Sequence, residues 1–259
     1  MLNEKINIDP SGRTYIETYI IDDPLGLNRK RPTVVVCPGG AYRFCSAREA
    51  EPIALSFNAA GFNAVVVYYT LEALFPASLS DLSSAVAMVR EKSDEWCVDT
   101  DKVIVCGFSA GGHLAASLGV FWNSEPGVKR EDKLNRPNGM ILSYPVITSG
   151  EYAHTGSMDN ITRGDKRLLE KVSLEDQVSS DCPPAFIWHT FTDEAVPVEN
   201  SLLFASALAK AKVPTELHIF PKGSHGLSLS EEWTAGQDQE AVEEPREWIR
   251  MAVRWVRSL

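Results

Sequence analysis

Val103-Ile104-Val105-Cys106-Gly107-Phe108-Ser109-Ala110-Gly111-Gly112-His113 is the stretch from which the rest of the chain can be read. Its β-branched run suits a strand buried on both faces. The run ends at a serine set between two glycines and passes into the helix-forming segment that follows Gly112. Alone, Gly-x-Ser-x-Gly is a weak pattern, but between a strand and a helix it has a mechanical meaning. The turn is so tight that side chains at the flanking positions would collide, so glycine stands there, and the serine hydroxyl is raised at the sheet edge over a helix N-terminus. A dinucleotide-binding turn fits less well, because Gly-x-Gly-x-x-Gly spacing is missing and the strand does not lie near the chain start.

Outward from this turn, apolar β-rich runs recur at 33–37, 64–69, 139–144, 185–189 and 216–220, with helical stretches between them. The rhythm predicts an α/β protein with a mostly parallel central sheet and helices on both faces. Residues 14–21 alternate poorly and read as an edge strand. Ser46-Ala47-Arg48-Glu49 has capping-box spacing and is expected to open a helix that runs to Ala60 and ends at Gly61. Further helices are expected over 79–96, 110–121 and 198–211. A last one should follow Pro245, where Trp248, Met251, Ala252, Trp255 and Leu259 repeat at helical spacing and read as core. The polar stretch 148–181, with one helical pattern near 166–178, and the acidic stretch 228–244 lack the apolar content for cores of their own. Both read as insertions on a single domain spanning 1–259.

Composition narrows the partners. Among 259 residues, 25 Lys and Arg stand against 35 Asp and Glu, a net charge of −10, so the basic field that holds nucleic-acid phosphates or anionic membranes is missing. Five cysteines without a Cys-x-x-Cys pair read as free thiols rather than disulfides or a metal site. The N-terminus carries no leader pattern, and the longest apolar run, 64–69, is far short of the roughly 20 residues that span a bilayer. The expectation is a cytoplasmic protein; the sequence leaves a homodimer open.

A serine at its ordinary pKa is a poor nucleophile and needs a base held by an acid. Of the five histidines, His113 lies along the helix that Ser109 opens, His154 falls in the polar insertion, and His189 and His218 fall within strands. His225 alone stands in a glycine-flanked turn, Gly223-Ser224-His225-Gly226, directly after a strand, from which it can reach over the sheet edge. The acid should come from the end of the preceding strand, where Asp193 and Glu194 are neighbours. Asp193 is the expected partner because its shorter side chain is held more rigidly, with Glu194 as a solvated neighbour. The order Ser, acid, His is the hydrolase order. Pro38-Gly39-Gly40-Ala41-Tyr42 follows the 33–37 strand, so backbone N–H groups of Gly40 and Ala41, with that of Ala110, are expected to receive an oxyanion.

These segments together resemble the α/β-hydrolase superfamily, over nearly the whole chain from about Thr14 onward. Within it the chain resembles the bacterial esterases that include acetyl esterases and acetylxylan or feruloyl esterase-like proteins. The resemblance implies a Ser109–Asp193–His225 triad, an oxyanion loop at Gly40 and Ala41, a small-molecule ester substrate and no metal or cofactor. One departure matters: Pro38 stands where the family's HGGG-type loop begins with histidine, so the bracing of that loop cannot be carried over. Stretch 148–181 is too polar for a lipase lid, which favours a short acyl group on a polar alcohol such as an acetylated sugar. Tyr42 is expected to wall the acyl site. The alternatives are a small serine peptidase of the prolyl-oligopeptidase kind, although no propeller precedes the catalytic segment, and a hydrolase fold used only for binding, against which the intact triad speaks.

Overall fold

The valine-rich runs pair with one another and are lost from solvent, as their unbroken apolarity requires. The computed structural model describes residues 1–125, 128–237, 239 and 241–259. In chain order its elements are β1 (Lys5–Asn7), β2 (Tyr15–Tyr19), β3 (Arg31–Cys37), α1 (Glu51–Ala59), β4 (Asn63–Tyr68), α2 (Ala77–Glu91), β5 (Val98–Phe108), α3 (Ala110–Phe121), β6 (Gly139–Ser143), α4 (Thr155–Thr162), α5 (Lys166–Val172), β7 (Ala185–Thr190), α6 (Glu199–Lys210), β8 (Thr215–Phe220) and α7 (Trp248–Ser258). The strands form one eight-stranded sheet in the order β1-β2-β4-β3-β5-β6-β7-β8. From β4 to β8 every pairing is parallel, while β1 and β2 are antiparallel additions at one side. The expected edge strand therefore lies one place inward, with β1 outside it.

Side-chain alternation along each strand feeds two cores. Val34 and Val36 face a core built with α1 and α7, through Ile53, Phe57, Trp248 and Trp255. Val35 faces the other, built with α2, α3 and α6 through Leu82, Val86, Leu114, Phe204 and Leu208. Helices thus cover both faces, and the fold is that of an α/β-hydrolase. Because β4 lies beyond β3 and β5 lies on its other side, strand order reverses at β3. Open α/β sheets bind their ligands at such a reversal, beyond the strand C-termini. The loops after β3 and β5 meet there.

Several local expectations change, and the helix expected over 79–96 ends at Glu91. Residues Ala47–Glu49 form a 3₁₀ turn without a side-chain cap from Ser46, and α1 starts only at Glu51 with proline in its first turn. The Glu49 side chain does not reach back to Ser46, because two buried donors elsewhere claim both its oxygens. Stretch 148–181 contains α4 and α5, and its Met158, Ile161, Val172 and Leu174 enter the larger core. Helix α4 escapes the sequence because Thr155-Gly156-Ser157-Met158-Asp159-Asn160-Ile161-Thr162 holds few good helix formers. In stretch 228–244, residues 238 and 240 lie outside the described residues. The five cysteines are free.

Candidate active site

Ser109 ends β5 with φ +53° and ψ −119° and serves as the N-cap of α3. The flanking glycines are fixed by contact: a Cβ on Gly107 would lie 2.1 Å from Gly111 O, and one on Gly111 would lie 2.1 Å from Cys37 O. The second contact presses the nucleophile turn onto the start of the loop after β3. The serine backbone is held on both sides, its N–H donating to Ser143 O at 3.0 Å and its carbonyl accepting from His113 and Val146 N–H. Only 7% of the residue is exposed.

The structure brings Asp193 and His225 to this serine. His225 Nδ1 lies 2.7 Å from Asp193 Oδ2 and Nε2 lies 2.8 Å from Ser109 Oγ. An ionised carboxylate only accepts, so Nδ1 carries the imidazole proton and Nε2 is left to accept the serine proton. Asp193 Oδ1 also accepts the Ala195 and Val196 N–H groups. Burial acts to raise the Asp193 pKa, but bonds from His189, His225 and Val196 outweigh it and hold the carboxyl well below the usual range. Glu194, the alternative acid, is exposed.

His189 is a member of the site that the sequence reading missed. Its Nε2 lies 3.3 Å from Asp193 Oδ2 and donates to Val196 O at 2.9 Å, while Nδ1 accepts from Ser201 Oγ at 2.7 Å. A histidine inside an apolar strand gives no local signal of this. The other histidines are engaged elsewhere: His113 with Tyr42 and Val172, His154 capping α4, and His218 with Glu216. Burial lowers the His154 pKa, and His225 adds to the effect.

The loop after β3 is pinned through several of its polar groups. Pro38 O accepts the Tyr69 hydroxyl at 2.6 Å, Gly39 N–H donates to Glu49 Oε2 at 2.9 Å, and Gly39 O accepts Ser46 N–H at 2.9 Å. Ala41 O accepts Asn160 Nδ2 from α4 at 2.8 Å. These contacts are the bracing that Pro38 left open. Gly40 at φ +127° and Ala41 at φ +55° turn the chain so that, among the described residues, their N–H groups meet no acceptor of the protein. The Ala110 N–H is likewise free by helix geometry, since the first N–H groups of a helix have no intrahelical partner.

Tyr42, expected beside the acyl site, is buried. It is 2% exposed, its hydroxyl lies 2.7 Å from His113 Nδ1, and its ring packs edge-on against Tyr69 and His113. Its φ is +60°, and its hydrogen bond to His113 ties the loop after β3 to α3. Beside His225 lies an open cleft of about 890 Å³ whose polar lining includes Thr192, Glu194, Lys222, Ser224 and Glu243. Among the described residues no cluster of His, Cys, Asp and Glu is arranged to hold a metal ion, and no helix is long and apolar enough to cross a membrane.

Known proteins are similar to most of this chain. The chain is 39% identical over 222 residues to endo-1,4-beta-xylanase B of Butyrivibrio fibrisolvens, a match covering 80% of this chain and 35% of that protein. It is 28% identical over 256 residues to the acetylxylan esterase of Xylanibacter ruminicola, covering 95% of this chain and 50% of that protein. The chain therefore spans between about a third and a half of these two relatives. The crystal structure of an acetyl ester-xyloside bifunctional hydrolase from Caldicellulosiruptor lactoaceticus superposes with TM-score 0.86 at 36% identity, covering 98% of this chain and 96% of that one. The family model described as BD-FAE matches residues 21–208, which include the loop after β3, Ser109 and Asp193. With most of its length inside that match, the chain belongs to the BD-FAE family of α/β-hydrolase esterases.

Proposed function

We propose that the protein is a serine carboxylic-ester hydrolase that removes short, acetyl-like acyl groups from polar alcohols, carbohydrates above all. The observation that carries the reading is the continuous relay from Asp193 through His225 to Ser109, at 2.7 and 2.8 Å. Ser109 Oγ attacks the ester carbonyl while His225 Nε2 takes its proton, and the Asp193 carboxylate stabilises the resulting imidazolium. The developing oxyanion is received by the N–H groups of Gly40, Ala41 and Ala110, each such donor typically contributing about 2.7–4 kcal/mol of transition-state stabilisation. His225 then protonates the leaving alcohol. Water, deprotonated by the same imidazole, hydrolyses the acyl-enzyme.

Support for a polar alcohol comes from the cleft next to His225, where hydroxyls, carboxylates and a lysine outnumber apolar walls. Phe44 adds an aromatic surface, 57% exposed, beside Gly40. The likeness to an acetylxylan esterase and to an acetyl ester-xyloside hydrolase points the same way. The test compares wild type with Ser109→Ala on p-nitrophenyl acetate and on acetylated xylo-oligosaccharides. Wild type is expected to release acetate from both, and the variant, with an unchanged melting curve, from neither. Turnover retained by Ser109→Ala would remove the assignment, and activity on the phenyl ester alone would remove the carbohydrate.

A further inference from the structure

Glu49 is 3% exposed, and its carboxyl takes no part in the attack or the proton transfers described above. Its Oε2 accepts the Gly39 N–H at 2.9 Å and its Oε1 accepts the Tyr144 hydroxyl at 2.6 Å. The Tyr144 oxygen accepts the Ser228 N–H at 2.8 Å, just beyond His225 in the chain. The Tyr144 ring stands edge-on to the His225 imidazole, centroids 5.1 Å apart, and is walled by Phe108 and Trp188, so its hydroxyl has one direction to point. A second strand of the same tie runs from Ser228 Oγ to Arg48 O. There is little slack at the other end, since a Cβ on Gly39 would lie 2.7 Å from Glu49 Oε2 and 3.1 Å from Ser109 Cβ.

We propose that Glu49, acting through Tyr144, is a positioning residue of the reaction that fixes the oxyanion loop against the His225 loop. The proposal rests on the esterase reading above. Oxyanion donors and general base sit on loops far apart in sequence, and catalysis needs both registered on one reacting carbonyl. A misplacement of about 1 Å can cost about 100-fold in rate. A carboxylate bridging two donors is suited to hold that register, because hydrogen bonds to an ionised acceptor are shorter and stronger than neutral ones. The register matters for the tetrahedral oxyanion more than for the planar ester, so its loss should appear in kcat and not in KM.

Glutamine at position 49 keeps the shape and can still accept from Gly39. Its amide must then donate to Tyr144 Oη, which already accepts from Ser228, and the tyrosine proton loses its acceptor. The experiment measures kcat and KM for p-nitrophenyl acetate with Glu49→Gln, Glu49→Ala, Tyr144→Phe and the Glu49→Gln/Tyr144→Phe double variant, per serine titrated by a phosphonate ester. Glu49→Gln and Tyr144→Phe are each expected to lower kcat by about 10- to 100-fold with KM changed less than about threefold. The double variant should be no slower than the slower single variant, and Glu49→Gln should be faster than Glu49→Ala. Titrating the serine removes any contribution from unfolded protein. A kcat for Glu49→Gln and Tyr144→Phe within about twofold of wild type, losses that multiply in the double variant, or losses confined to KM would each overturn the proposal. Ser109→Ala run alongside separates the two levels: its retained activity would remove the esterase reading, whereas Ser109-dependent activity with full-rate Glu49→Gln removes only the role of Glu49.

Discussion

His113 lies one turn into α3 with Nδ1 2.7 Å from the Tyr42 hydroxyl and Nε2 2.9 Å from Val172 O. The carbonyl only accepts, so Nε2 bears the proton and Nδ1 accepts from the tyrosine. Burial pushes the pKa down from 6.5 to about 4, against a smaller upward effect of the Val172 carbonyl. The unfolded chain therefore takes up this proton first, so stability from neutral His113 is complete above pH about 6.5 and is lost as pH falls toward 4, on the order of 3 kcal/mol. Urea midpoints measured across that window should fall in wild type and fall less in His113→Gln, which should start lower at neutral pH. Asp193, depressed below the usual carboxylate range, contributes stability that is intact above pH about 4 and goes only at lower pH. At this scale the sequence showed what sits at strand ends with turn residues around it: Ser109, Asp193 and His225. It hid Glu49, whose spacing from Ser46 satisfied a local helix-start rule while its partner Tyr144 lies 95 residues away. It hid the positive φ of Tyr42 for the same reason, since a positive φ at a residue other than glycine is imposed by surroundings and not by residue type.

Helix α7 shows how an element far from the chemistry supports it. Its Trp248 is fully buried, stacks on Trp188 with centroids 5.4 Å apart, and donates Nε1–H to Ser228 O at 2.9 Å. Trp248→Ala is expected to cost about 3–5 kcal/mol in thermal or urea unfolding, because it opens a cavity and leaves a buried carbonyl without a partner. Loss under about 1 kcal/mol would mean that the helix is only loosely docked. The tryptophan spacing that reveals α7 in the sequence is the kind of signal that survives without tertiary knowledge, as are the continuous valine runs of β3, β4 and β5. Helix α4 had no such signal. It is held by docking, through Met158 and Ile161 in the core and Asn160 on the loop after β3, and propensity says little about an element formed that way. β1 was also missed, since three residues in the sequence Lys-Ile-Asn give no usable alternation.

Over the whole molecule, Met158, Ile161, Val172 and Leu174 of stretch 148–181 enter the core, and the cleft beside His225 is lined by Thr192, Glu194, Lys222, Ser224 and Glu243. Each added methylene of an acyl chain yields about 0.8 kcal/mol only where an apolar wall receives it. Across p-nitrophenyl acetate, butyrate and octanoate, kcat/KM should therefore decline in graded steps, since one methylene discriminates by only about 1–3 kcal/mol. An optimum at octanoate would place a hydrophobic channel where the polar cleft now stands. The ties that assemble the site are long in sequence: Ser109 to His225 spans 116 residues, Glu49 to Tyr144 spans 95, and Tyr144 to Ser228 spans 84. The helices, by contrast, close over a few residues each. Loop-closure entropy makes such distant pairings late events in refolding. After dilution from denaturant, far-UV ellipticity should recover ahead of ester hydrolysis, and an enzyme that regains both together would have to assemble its distant loops as fast as its helices. The same carboxylate that steadies the reacting groups would thus make hydrolysis a clock for the last stage of folding.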